Sequence, residues 1–161
     1  MNRDDVMEIL KSRDVIVKHV EHEPLFTMED AKVINEDGSV ANNLVLKDKK
    51  NYYFLSLKGN NRLSIKDIQL VLNSKALSFA KENDLDRLLK LGKGEVTPLG
   101  LLNDKKHEAN YYIDIRFKDN IIGVHPLTNI ETVWLKTEDL EKLLEEYGVS
   151  VKYALFDKIL G

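Results

Sequence analysis

The sequence contains no cysteine among its 161 residues. This absence excludes disulfides, a thiolate nucleophile and any zinc site with a cysteine ligand, and it suits a reducing compartment. The four histidines, His19, His22, His107 and His125, lack the spacing that two metal ligands on one helix require. We therefore expect a protein that uses no metal or other cofactor and no covalent thiol chemistry.

Long apolar runs are also missing. No run approaches the length of a membrane-spanning helix, about 18 residues, and the first five residues lack the apolar core of a signal peptide. The net charge of -3 argues against a general nucleic-acid coat, because phosphate binding by counterion release needs clustered Lys and Arg. We expect a cytoplasmic protein that binds neither membranes nor DNA.

Apolar residues recur at helical spacing in some segments and form strand-like runs in others, without a regular βαβ rhythm. The chain is large enough to bury about 70% of its unfolded surface as one domain. We expect a single α+β domain over 1–161, with a mixed, largely antiparallel sheet flanked by helices. Helices are expected near 4–10, 28–33, 65–72, 85–91 and 137–147, and strands near 15–19, 42–47, 52–57, 76–79, 112–117, 121–124, 132–135 and 149–156.

The segment from Ile121 to Leu135 places polar residues in a short loop between two apolar, β-branched arms. Pro126 cannot donate to a sheet ladder and favours an extended His125, so strand pairing must lapse near Thr128 and Asn129. A loop held by two core strands is a good place for a binding site. The alternative is a capped hairpin, in which these polar side chains bond only to nearby backbone.

A second unusual segment runs from Gly94 to Leu102. It is too apolar for a solvent loop and too interrupted by Gly and Pro for a regular element. We interpret it as buried backbone that lines a site.

Five stretches of the chain together carry a family resemblance. In order they are His22-Glu23-Pro24-Leu25-Phe26-Thr27, Asn43-Leu44-Val45-Leu46-Lys47-Asp48-Lys49-Lys50, Leu77-Ser78-Phe79-Ala80, Gly94-Glu95-Val96-Thr97-Pro98-Leu99-Gly100-Leu101-Leu102-Asn103-Asp104 and His125-Pro126-Leu127-Thr128-Asn129. Each is weak alone, but the set is specific and spans nearly the whole chain. It resembles the YbaK and prolyl-tRNA editing family of aminoacyl-tRNA deacylases, and especially its free-standing prolyl-tRNA editing members.

The resemblance implies a compact domain with a pocket for a mischarged amino acid on the 3′ end of a tRNA. The free-standing members that it most resembles remove alanine from tRNA for proline, so the resemblance implies a trans-editing hydrolase. The expected partner is the acceptor end of mischarged tRNA, and prolyl-tRNA synthetase is a candidate partner. By position, the substrate-binding residues would be Phe26, Thr27, Asn43, Gly94, Val96, Thr97, Pro98 and Thr128, and the catalytic residues would be Asn42, His125 and Asn129.

One position departs from the family. Members usually carry a Lys immediately before the Asn-Leu-x-Leu segment, and this chain has Asn42 there. Asn donates hydrogen bonds but has no charge with which to stabilise an oxyanion. Two alternatives to editing alanyl-tRNA therefore stay open: a non-catalytic module that binds an amino acid or aminoacyl-RNA end, and a deacylase of altered specificity.

The chemistry of ester hydrolysis requires an activated water and stabilisation of the oxyanion. The chain has no recognisable Ser-His-Asp elbow. Backbone amides, the ribose hydroxyl of the substrate and a positioned water fit this inventory better than covalent catalysis. His125 could act as general base or could only shape the rim of the loop.

Overall fold

The computed structural model describes residues 1–24, 34–35, 37–59, 63–92 and 94–157. The α-helices in these residues are α1 (Arg3–Ser12), α2 (Ile65–Leu72), α3 (Glu82–Leu89) and α4 (Thr137–Glu146). The strands are β1 (Lys18–Glu21), β2 (Asn42–Lys47), β3 (Tyr52–Leu57), β4 (Ser78–Phe79), β5 (Ala109–Asp114), β6 (Ile121–Val124), β7 (Glu131–Lys136) and β8 (Ser150–Ala154). Two 3-10 helices cover Pro98–Asn103 and Ile115–Phe117.

The strands form two sheets. The smaller is antiparallel, in the order β1-β7-β6, and the larger has the order β4-β2-β3-β5-β8. In the larger sheet β4, β2 and β3 pair antiparallel, whereas β3 with β5 and β5 with β8 pair parallel. The α+β class is confirmed, but the expectation of one sheet is wrong, because the arms of the 121–135 segment pair with each other and with β1.

The smaller sheet is joined to the segment that leads into β2 by the isolated pairing of Val40 with Gly123. The Gly123 amide donates to the Ser39 carbonyl at 2.7 Å, and the Ala41 amide donates to the Gly123 carbonyl at 3.0 Å. A Cβ at Gly123 would lie 2.7 Å from the Trp134 indole nitrogen. Glycine is therefore required here for a close approach of side chain and backbone.

Strand β3, at the centre of the larger sheet, is buried on both faces. On β3, Phe54 belongs to one apolar cluster, and its neighbours Tyr53 and Leu55 belong to the other. Because successive side chains of a strand point to opposite faces, a run of apolar residues is what a doubly covered strand needs. Tyr53 and Phe54 are therefore core residues, and Trp134, in the smaller sheet, is likewise 1% exposed.

Several predicted boundaries differ from the structure. The strand expected near 15–19 is β1, which starts only at Lys18, after a left-handed turn at Asp14 with φ 54°. Helix α3 ends at Leu89, short of the expected end near residue 91, because Lys90 adopts a left-handed capping conformation with φ 59°. The helix expected near 28–33 lies outside the described residues.

Two polar side chains fix the ends of elements, and the first ends β5 before the expected residue 117. Strand β5 ends at Asp114, whose carboxylate accepts from the Arg116 amide at 3.1 Å and turns the chain into a 3-10 helix. Thr137 lies inside α4, after Lys136 at the cap position, and its hydroxyl donates to the Asn120 carbonyl at 2.9 Å. Within the described ranges, no helix has the length and apolar character needed to cross a membrane.

Candidate active site

The loop between β6 and β7 has the predicted strand-loop-strand form. Strand β6 ends at Val124 and β7 begins at Glu131. Pro126 is buried, and Leu127 has a left-handed backbone with φ 58°, which turns the loop. Thr128 and Asn129 are half-buried, so their side chains reach the surface at the tip of a loop anchored in the core.

The 94–98 segment leads into the first 3-10 helix. Gly94 has φ 89°, a conformation that favours glycine, and Val96 is half-buried. Thr97 caps the helix, since its hydroxyl accepts from the Leu99 amide at 3.4 Å, and Pro98 occupies the first turn. The expectation of no regular element is therefore wrong for Pro98–Asn103. The expected burial is confirmed for 97–102 but is wrong for Gly94, which is exposed.

The 94–98 segment and the His125 loop, both predicted to belong to the site, are in direct contact. The Thr97 hydroxyl donates to the main-chain carbonyl of His125 at 2.6 Å. Thr97 is 0% exposed, so water does not compete for this bond. The structure thus brings Thr97, Pro98 and His125 into one region.

The His125 imidazole has a defined tautomer. Its Nδ1 lies 2.9 Å from the Glu131 carbonyl, which can only accept, so Nδ1 carries the proton. In the neutral ring Nε2 is then an acceptor. Burial lowers the pKa of His125 below its ordinary value, against the opposing effect of the hydrogen bond to Glu131, and nearby His22 lowers it further. His125 therefore both shapes the loop, through Nδ1, and keeps Nε2 available to accept a proton.

A second histidine belongs to the same network. The His22 Nδ1 lies 2.8 Å from the Glu23 carbonyl, so that nitrogen is the donor. In its neutral form, His22 Nε2 accepts from the Thr132 hydroxyl at 2.8 Å, and the Thr132 oxygen lies 3.3 Å from His125 Nδ1. Sequence reasoning treated Thr132 only as a strand residue, because nothing in its β-branched surroundings marks its hydroxyl as part of a network.

A charged cluster surrounds Glu131, where the loop ends and β7 begins. Arg3 donates to both carboxylate oxygens of Glu131 at 2.7 Å, and His19 Nε2 lies 2.6 Å from Glu131 Oε2. The hydrogen bond from Arg3 lowers the pKa of Glu131, against burial. His19, Glu21 and Glu131 have possible metal-ligand atoms within 4.8 Å of one another. A cation at that point would have to displace the Arg3 guanidinium, so we do not assign a metal site.

The two asparagines of β2 point in different directions. Asn42 pairs with Leu57 and Asn43 with Ser56, so the pleat sends their side chains to opposite faces of the sheet. The Asn43 amide donates to the Val96 carbonyl at 3.3 Å, which ties β2 to the 94–98 segment. Asn43 thus contacts the 94–98 segment, while the catalytic role of Asn42 stays a prediction.

Two lysines on the β2–β3 hairpin already have partners. Lys47 lies 2.7 Å from the Asp84 carboxylate. Burial alone would raise the pKa of Asp84, but hydrogen bonds, the strongest from Lys47, lower it to about 2. Lys58, which follows the Asn42 partner Leu57, donates to the Gly38 carbonyl at 2.9 Å and lies over the Phe117 ring. The charge of Lys47 is therefore already matched by Asp84.

The remaining predicted site residues are placed less fully. Phe26 and Thr27 lie outside the described residues. Thr128 and Asn129 occupy the loop tip, and within the described part of the chain their side chains form no hydrogen bond that would make them simple backbone caps. Their roles in binding and catalysis stay predictions.

Comparison with known proteins decides the family. A family model described as the aminoacyl-tRNA editing domain matches residues 22–143. The chain belongs to this family.

Named relatives agree with this membership. The prolyl-tRNA editing protein ProX of Acetoanaerobium sticklandii is 35% identical over 83% of this chain and 84% of its own length. The prolyl-tRNA synthetase associated domain-containing protein 1 of Danio rerio is 32% identical over 89% of this chain and 82% of its own.

A solved structure supports the same fold. A crystal structure described as a candidate trans-editing enzyme for prolyl tRNA synthetase superposes with a TM-score of 0.70 and 19% identity. The match covers 95% of this chain and 96% of that one. At this identity the likeness speaks for the fold alone.

Proposed function

We propose that this protein is a trans-editing deacylase that hydrolyses mischarged tRNA for proline, with alanine as the amino acid removed. The observation that carries the proposal is the joining of the 94–98 segment to the His125 loop through the Thr97 hydroxyl, at 2.6 Å. The names of the relatives, which refer to prolyl-tRNA editing, support the same substrate class.

The chemistry is hydrolysis of the ester that links the amino acid to the terminal ribose. Water attacks the carbonyl carbon and the carbonyl oxygen gains negative charge. The bond to the ribose oxygen then breaks, and that oxygen takes up the proton that the water has lost. His125 Nε2, an acceptor in the neutral ring, is suited to orient that water or remove its proton. A neutral imidazole at physiological pH is consistent with the lowered pKa of His125.

Selectivity between alanine and proline would come from size. A pocket that admits a small side chain rejects a larger one by steric exclusion, whereas a missing methylene is worth only about 1 to 3 kcal/mol of preference. The walls of such a pocket need to be rigid. Thr97 and Pro98, both buried and fixed at the start of a 3-10 helix, provide that rigidity.

The proposed partners follow from the substrate. They are the acceptor end of mischarged tRNA and prolyl-tRNA synthetase. Because proofreading accompanies translation, the proposed location is the cytoplasm. Purified protein should release alanine from alanyl-tRNA for proline faster than it releases proline from the correct product. Equal release of both amino acids would reject the proposed specificity.

A second candidate, a non-catalytic module that binds an aminoacyl-RNA end, is favoured by one observation. The position of the family Lys holds the neutral Asn42, and Lys47 is paired with Asp84 at 2.7 Å. Absence of turnover on a panel of aminoacyl-tRNAs, together with retained binding of a non-hydrolysable aminoacyl-RNA end, would favour this module over the hydrolase.

A further inference from the structure

A chain of buried polar groups crosses the larger sheet beneath the proposed site. The Ser56 hydroxyl lies 2.7 Å from Asn43 Oδ1 and 2.7 Å from the Tyr111 hydroxyl. Ser56 and Tyr111 are each 0% exposed. A buried hydroxyl without partners would be costly, so the hydrogen bonds are what make these residues tolerable in the core.

The direction of each hydrogen bond is fixed by chemistry. The Asn43 Oδ1 can only accept, so the Ser56 hydroxyl donates its one hydrogen to it. Tyr111 must then donate to the Ser56 oxygen. Burial raises the pKa of the Tyr111 phenol, which keeps its hydrogen in place across the usable pH range.

This direction fixes the orientation of the Asn43 amide. With Oδ1 held by Ser56, the amide nitrogen must face the other way, where it donates to the Val96 carbonyl at 3.3 Å. The next residue is Thr97, whose hydroxyl donates to the His125 carbonyl at 2.6 Å. The polar chain therefore runs from the centre of the sheet to the 94–98 segment and the His125 loop.

We infer that Ser56 and Tyr111 are positioning residues for the hydrolysis, which hold the Val96–Thr97 backbone at its working distance from the His125 loop. This inference rests on the proposed function. Neither residue needs to touch the substrate, because each acts through the orientation of the Asn43 amide. Small displacements of this backbone would lower the rate of hydrolysis, since a shift of about 1 Å can lower turnover about a hundredfold.

The test uses Tyr111→Phe in the full-length protein. The ring still packs edge-on against Phe54, at 5.4 Å between ring centres, so the substitution removes only the hydroxyl. The matched control is Tyr53→Phe. Tyr53 is also buried, on β3, but it faces the second apolar cluster, and its hydroxyl donates to Asp48 at 2.8 Å.

The expected result is that Tyr111→Phe and Ser56→Ala each lower kcat for alanyl-tRNA about tenfold with little change in KM. Tyr53→Phe should keep the wild-type kcat, and Ser56→Thr, which retains the hydroxyl, should recover most of the loss. A merely structural role predicts something else: losses of melting temperature in all of these variants without a selective fall in kcat. Wild-type kcat in Tyr111→Phe would overturn the inference.

A second measurement does not depend on activity. In amide NMR spectra, Tyr111→Phe should shift the resonances of Val96, Thr97 and His125, whereas Tyr53→Phe should leave them in place. Failure of the proposed function would be visible in the wild-type protein as absent turnover. The NMR comparison alone would then decide whether Tyr111 positions the Val96–Thr97 backbone. Unshifted resonances of the three residues in Tyr111→Phe would refute it.

Discussion

The Thr97 hydroxyl donates to the main-chain carbonyl of His125 at 2.6 Å, and this bond joins two segments 28 residues apart in sequence. A hydroxyl has one hydrogen to donate and lone pairs that can accept. The Thr97 hydroxyl donates its hydrogen to the loop and accepts a hydrogen bond from the Leu99 amide of the 3-10 helix. One buried side chain thus starts a helix and fixes the position of the proposed catalytic loop.

Thr97→Val, which keeps the shape and removes the hydroxyl, tests this joint. We expect a loss of about 1 to 3 kcal/mol in the free energy of unfolding, because a buried carbonyl loses a donor. We also expect a lower kcat, because the His125 loop is released from the 94–98 segment. Thr97→Ser keeps the hydroxyl and serves as control. Denaturant unfolding and deacylation rates check both expectations. A Thr97→Val variant that matches wild type in both would show that this hydrogen bond does not hold the His125 loop in place.

Protonation of His125 gives a pH prediction. Its pKa is lowered from 6.5 by burial, so the folded state binds the proton less readily than the unfolded chain does. The stabilisation from the neutral ring is therefore complete above about pH 6.5 and is lost as the pH falls through the lower pKa of the folded state. An NMR titration of the His125 ring protons should give a midpoint below 6.5.

The rate should follow the same group. If His125 is the general base, the acid limb of kcat/KM should have the midpoint of that NMR titration. A midpoint at or above 6.5 in the titration would contradict the burial argument. An acid limb that does not coincide with the titration would limit His125 to shaping the loop.

The sequence predicted the site loop because its signals are local. The β-branched arms around Pro126 favour strands that must stop pairing, and the structure has β6 and β7 on either side of that point. Gly94 and Pro98 similarly marked an unusual buried segment. Resemblance then put the two segments in one site, which local patterns cannot do.

Other features depend on contacts that no local pattern reveals. Pairing of β1 with β7 joins residues more than a hundred positions apart, as in Lys18 opposite Trp134, and it is this pairing that makes two sheets from the expected one. Likewise, Ser56 and Tyr111 look like ordinary members of apolar strands. Only the register of β2, β3 and β5 shows that their hydroxyls meet next to Asn43.

Asn129→Ala tests the loop tip. We expect turnover to fall while the melting temperature changes little, because this half-buried side chain forms no backbone cap within the described residues. Asn120→Ala is the matched control, since the Asn120 amide donates to the Arg116 and Lys118 carbonyls at 3.3 and 3.2 Å. The control should lose stability and keep its turnover. A large drop in melting temperature with normal turnover in Asn129→Ala would make Asn129 a structural residue.

Asn42→Lys tests the departure from the family pattern. If the site works without the family cation, restoring an ammonium near the developing oxyanion should raise the deacylation rate, because a charge stabilises it more than a neutral amide does. Each gain of about 1.4 kcal/mol in the transition state would appear as a tenfold faster rate.

Asn42→Gln is the control for that experiment, because it lengthens the side chain without adding charge. The pleat places Asn42 on the face opposite Asn43, so a lysine there must reach the site around the end of β2. A faster rate for Lys but not Gln would mean that the ammonium does reach it and that charge is what the wild-type site lacks. If Lys leaves the rate unchanged or abolishes it, Asn42 belongs to a rearranged site, and the family mechanism does not carry over to this chain at that position.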